Sequence, residues 1–114
     1  VNAKDETNRC VKLREGLGPA MMLDLRTLAG EHWAFPYPYL IFSRYDKDTI
    51  SMRFSSHSVI VKGRTLDTLY EAFLIQRVES IRAEDQRHDI GPETDPYVYS
   101  VEVRAIDDEV TSDS

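Results

Sequence analysis

Thr49-Ile50-Ser51-Met52-Arg53-Phe54-Ser55-Ser56-His57-Ser58-Val59-Ile60-Val61-Lys62-Gly63-Arg64 is the stretch that decides the fold. Ile50, Met52 and Phe54 alternate with Ser51, Arg53 and Ser55, so an extended chain buries one row and wets the other. Ser56-His57 reads as a tight connection. The β-branched run from Ser58 to Lys62 predicts a second strand, antiparallel to the first. Gly63-Arg64 ends it.

Towards the C-terminus, Thr65 is a good helix N-cap and Asp67 suits the positive end of a helix. Leu66, Leu69, Tyr70, Phe73 and Leu74 follow helical spacing, and Val78 and Ile81 continue the stripe. That predicts one helix of about five turns. The rival reading stops the helix near Ile75 and makes Arg77 to Asp85 a strand. Gln86 to Pro96 is a polar loop holding Gly91, Pro92 and Pro96. Tyr97 to Val103 is a last strand, with Tyr97, Tyr99, Val101 and Val103 on one face.

Towards the N-terminus, Asp46-Lys47-Asp48 is a turn and Leu40 to Ser43 a buried-looking strand or a short turn leading into one. Met21 to Phe35 reads as a β-hairpin whose turn uses Gly30. Cys10 to Leu13 is a short edge strand, cut off by Gly16-Leu17-Gly18-Pro19. Residues 1–9 form a polar tail and residues 107–114 an acidic one. The expected fold of residues 10–106 is therefore a single α+β domain, an antiparallel sheet of about five or six strands with one main helix packed on one face.

The chain has 114 residues, enough for one domain with one core. No apolar run approaches the ~18 residues of a membrane span, and the N-terminus is polar, without a visible export signal. One cysteine, Cys10, excludes an intramolecular disulfide framework and suggests a reducing, cytoplasmic setting. Residues 1–64 carry 10 basic and 7 acidic side chains; residues 65–114 carry 4 and 13. So acidic a C-terminal half argues against nucleic acid and against an anionic membrane as partners. It permits a basic protein partner.

The chemistry-bearing residues form no complete constellation. Ser55, Ser56, His57 and Ser58 lack a nucleophile elbow and an evident orienting acid, so they read as turn chemistry. His88, Asp89, Glu93 and Asp95 match no metal spacing, and His32 reads as a strand residue beside the turn. Arg64 ahead of a helix start would suit an anion, but fits equally a solvated connection. Cys10 has Arg9 and Lys12 nearby but no base. No catalytic residue, metal site or cofactor is assigned.

The most unusual run is Trp33-Ala34-Phe35-Pro36-Tyr37-Pro38-Tyr39. Two prolines keep it out of a central strand. In an extended chain its four aromatics share a face. Trp33 and Phe35 would root it in the core while Tyr37 and Tyr39 meet a partner.

The succession Phe35-Pro36-Tyr37, then Ile50-x-Met52-x-Phe54-Ser55-x-His57-x-Val59, then Gly63-Arg64-x-Leu66-x-x-Leu69-Tyr70 resembles small bacterial proteins of unassigned function over roughly residues 21–83. It implies no catalytic or binding residue. The expected function is that of a non-enzymatic interaction or assembly module. Its contact residues would be Tyr37, Tyr39, Trp33 and Phe35, and its partner another protein or a second copy. The alternative is a small enzyme or ligand-binding protein with a site near His57, Arg64 and residues 33–39.

Overall fold

The computed structural model describes residues 10–89 and 94–106. Among the described residues, eight strands and one α-helix make a mixed α+β fold: β1 (Val11–Leu13), β2 (Met22–Arg26), β3 (His32–Pro36), β4 (Leu40–Asp46), β5 (Thr49–Phe54), β6 (His57–Arg64), α1 (Asp67–Leu74), β7 (Val78–Arg82) and β8 (Tyr97–Ala105). The tails expected at 1–9 and 107–114 lie outside the described residues.

The strands form two sheets of four, not one of five or six. Their orders are β1-β7-β2-β3 and β4-β5-β6-β8. The second is antiparallel throughout, with Ile50 opposite Val61 and Met52 opposite Val59. In the first, β2 and β3 make the expected hairpin, and Gly30 turns it at φ 100°. β7 pairs parallel to β2, placing Leu25 beside Ile81. Sequence alternation specifies which face of a strand is buried. It does not say which strands share a sheet.

The corner between the sheets lies in the aromatic–proline run. Pro36 ends β3 opposite Met22, and Tyr37–Tyr39 is a single 3-10 turn leading into β4. A turn replaces the extended chain there, so Tyr37 and Tyr39 part company. Tyr37 is 4% exposed and Tyr39 is 59% exposed. The Tyr37 hydroxyl donates to the Val78 carbonyl at 2.7 Å, tying the corner to β7.

The helix is eight residues long, and the five-turn expectation gives way to its rival. Gln76 takes φ 58°, its amide donates to the Phe73 carbonyl and the Arg77 amide to the Ala72 carbonyl. That paired closure is the Schellman stop, ordinarily built on glycine. Val78 and Ile81 then extend the apolar stripe from a strand. Glu79, between Val78 and Ser80, has no register partner in β1, so this irregular strand turns residues three apart to one side. Thr65 is not the N-cap. It stands at φ 54°, and Leu66 occupies the cap position without a side-chain bond.

Both sheets and the helix contribute to one core. Leu23, Leu25 and Ile81 come from the first sheet, Ile50, Met52, Phe54, Val59 and Val61 from the second, and Leu66, Leu69 and Phe73 from α1. Phe35 stacks on Phe54 at 4.7 Å between ring centres, joining the sheets, and Tyr37 meets Phe73 at 5.7 Å. Leu66 through Phe73 thus fill space that a two-sheet arrangement of short strands would leave open.

Candidate interaction surface

His57 and Arg64 open and close β6, so seven steps of extended chain, roughly 23 Å, separate them. The alternative site expected near both splits into two places. His57 joins the aromatic segment, its ring 5.3 Å from Trp33 and 5.5 Å from Phe35. Its Nδ1 lies 2.7 Å from Ser56 Oγ, an exposed pairing of neighbours across the β5–β6 turn. Trp33 Nε1 turns away, to Glu31 at 3.4 Å.

At the other end, the Arg64 guanidinium grips Asp89 with two bonds, 2.6 Å from Nε and 2.5 Å from Nη2, and donates to the Asp95 carbonyl at 2.9 Å. Tyr99 donates to the same carboxylate at 3.1 Å, and Arg64 lies over the Tyr97 ring. Here the chain's own Asp89 fills the place that an external anion would take beside Arg64. A bidentate, half-buried pair of this kind fixes a loop, because two parallel bonds set position and angle together. Burial and the Asp89 carboxylate push the Tyr99 hydroxyl above its usual pKa. Of the sequence's other possible metal donors, Glu93 lies outside the described residues. Among the described residues no group of three metal-type side chains converges.

A shallow groove of about 480 Å³ crosses the outer face of the first sheet, lined in part by Lys12, Asp24, Arg26, Glu79, Ser80 and Arg82. Two of its cations are answered from within, Lys12 by Glu79 at 3.5 Å and Arg82 by Glu84 at 2.9 Å, and Asp24 lies against His32. Cys10 is buried against β8, where its sulfur accepts from the Val98 amide at 3.3 Å. Burial pushes its thiol from 9.0 up to about 11, so the nearby cations noted in the sequence do not activate it.

The apolar surface lies elsewhere. Ile41 and Phe42 are 61% and 57% exposed, although their sequence reads as a buried strand. The cause is a register shift. Leu40 faces Phe54 and Phe42 faces Arg53, which leaves Ile41 without a partner in β5. A bulge turns consecutive side chains outward and bends an edge strand away from regular pairing. Met21, Leu74 and Ile75 are also exposed.

Bonds tie the chain on either side of these residues to its neighbours. The Tyr37 amide donates to Met21, the Ala20 amide to Gln76 beside Ile75, and Ser43 meets the Tyr70 hydroxyl on the helix that ends at Leu74. Of the four aromatics singled out in the sequence, only Tyr39 is exposed. Phe35 and Tyr37 are core and Trp33 is half-buried against the core. Placing Tyr37 on a rim is therefore corrected, for its ring and hydroxyl are both used inside the chain. The missed residues had one available signal: Ile41-Phe42 puts two apolar residues in succession where a half-buried edge strand should alternate.

Comparison with family models, with curated proteins and with solved structures finds no match for this chain. Among the described residues no helix is long and apolar enough to cross a membrane.

Proposed function

We propose that the protein is an interaction or assembly module that works through protein contacts. The observation that carries this reading is the cluster of exposed apolar side chains along one short segment at the start of β4, Tyr39, Ile41 and Phe42. Single exposed apolar residues are ordinary, whereas three within four consecutive positions at one sheet edge are the kind of feature that marks a contact surface. Tyr39 supplies an aromatic face with a hydroxyl that tolerates a wet rim. Arg53 lies in register with Phe42, and its Nε is buried without an acceptor among the described residues. A partner that covers Phe42 and offers a carbonyl or carboxylate to Arg53 would satisfy both. Trp33, Phe35 and Tyr37 serve this surface by anchoring the corner from which β4 departs.

The test is site-specific photocrosslinking in living cells of the source organism. A photoreactive side chain replaces Ile41 in one strain and Lys62, exposed on β6 two strands away, in another. The reading expects protein adducts at position 41 well above those at 62. Equal yields at the two positions would refute it.

A further inference from the structure

A four-stranded open sheet has two edges, and this molecule has two such sheets. Three of the four edges carry features that discourage strand addition. β1 is three residues long with a register shift, β3 ends in Pro36, and β4 is bulged at Ile41. Short length, proline and bulges are the recognised means of blunting an edge. β8 is different. At nine residues it is the longest strand, and it contains neither proline nor glycine. Its first residues are covered, because Glu84 and Cys10 bond the backbone of Val98. From Ser100 to Ala105, no described strand pairs with its outer side.

The side chains of that open half point to the occupant. Glu102 and Arg104 are exposed and face the uncharged residues Ile60 and Ser58 of β6. Within the chain they reach each other only at 4.0 Å. Consider a second β8 laid antiparallel about a two-fold axis through Val103. Glu102 then faces Arg104 of the other copy, and Arg104 faces Glu102. On the inner side Val103 meets Val103, and Val101 meets Ala105. Moving the axis to Glu102 or to Arg104 sets like charges opposite each other, which disfavours the pairing. The alternation of the pleat forbids half-steps. One register thus matches charge with charge and apolar with apolar.

We propose that β8 pairs with β8 of a second copy in this register, joining two four-stranded sheets into one continuous sheet across a symmetric dimer. Such an interface is isologous, as two-fold dimers require. It extends the interaction-module reading by naming a partner and an edge, and it leaves the apolar surface at β4 free for a different contact.

Sedimentation velocity over a concentration series tests it with five proteins: wild type, Glu102→Arg, Arg104→Glu, the double exchange, and Ile41→Ser with Phe42→Ser. Circular dichroism and thermal melts establish that each is folded. Wild type should dimerise. Each single exchange sets like charges opposite at two places and should weaken the dimer by about tenfold or more. The double exchange should restore it, and the β4 variant should dimerise like wild type. A monomeric wild type overturns the proposal. So does a double exchange no tighter than the single ones. A dimer lost only in the β4 variant also overturns it, while leaving the interaction-module reading intact.

Discussion

The two edges of the β4-β5-β6-β8 sheet are exposed in opposite ways. β4 offers side chains and withholds backbone: Tyr39, Ile41 and Phe42 stand in solvent where the ladder is interrupted. β8 offers backbone and withholds apolar side chains: its open half is regular, with Glu102 and Arg104 outward. A partner at β4 would gain mainly from apolar burial, which salt does not screen. A partner at β8 would gain from ladder hydrogen bonds and from charge pairs that salt screens. One sheet can therefore present two contacts of different chemistry.

The comparison can be broken from either side. The largest effect is expected at Phe54, which is fully buried, faces Leu40 of β4 and stacks on Phe35. Phe54→Ala should cost about 3–5 kcal/mol in chemical denaturation. It removes the support beneath the β4 bulge, so a loss below about 1 kcal/mol would mean that β4 is held by something other than this core.

Gly63 holds the β8 side. A Cβ there would lie 2.0 Å from the Tyr97 carbonyl oxygen and 2.9 Å from the Val98 Cα, both backbone atoms that cannot step aside. The close approach occurs where the β6–β8 register shifts after Lys62. Gly63→Ala should cost about 2–4 kcal/mol in denaturation and displace the start of β8. A neutral substitution would show that β8 is not seated as described.

The smallest effect concerns pH. The Cys10 thiol, buried beside Val98, is pushed up to about 11 from 9.0. The unfolded chain therefore loses this proton first as pH rises. Stability is fully retained below pH 9 and falls between 9 and 11, by about 1.4 kcal/mol per pH unit at most. Tyr37, raised by burial, adds a loss of the same sign at higher pH. Denaturation midpoints of wild type and Cys10→Ala across that range check it, and parallel curves for the two would remove Cys10 from the account.

These same residues show what a sequence can disclose. The row Ile50, Met52, Phe54 was legible because strict alternation has one physical meaning on a half-buried sheet, and all three are buried. The end of α1 was not, because its stop is carried by Gln76 at positive φ, a position where glycine would have announced itself. Val78 and Ile81 prolonged the misleading stripe, since an irregular strand can imitate helical spacing over one turn. Among the site residues, Tyr39 was legible as an exposed aromatic. Ile41 and Phe42 left only a break in alternation as a sign, because a bulge is a property of pairing and is located only when β5 is placed beside β4. Arg64 was noticed as an isolated cation. Its partner Asp89 lies 25 positions away and became visible only with the loop folded back.

Amide hydrogen exchange resolved to single residues, at several protein concentrations, addresses the contrast between the edges most directly. The account predicts that alternate amides from Ser100 to Ala105 exchange more slowly as concentration rises, while those of Ile41 and Phe42 do not change. Exchange along β8 that is independent of concentration, or protection that grows at β4 instead, would contradict it.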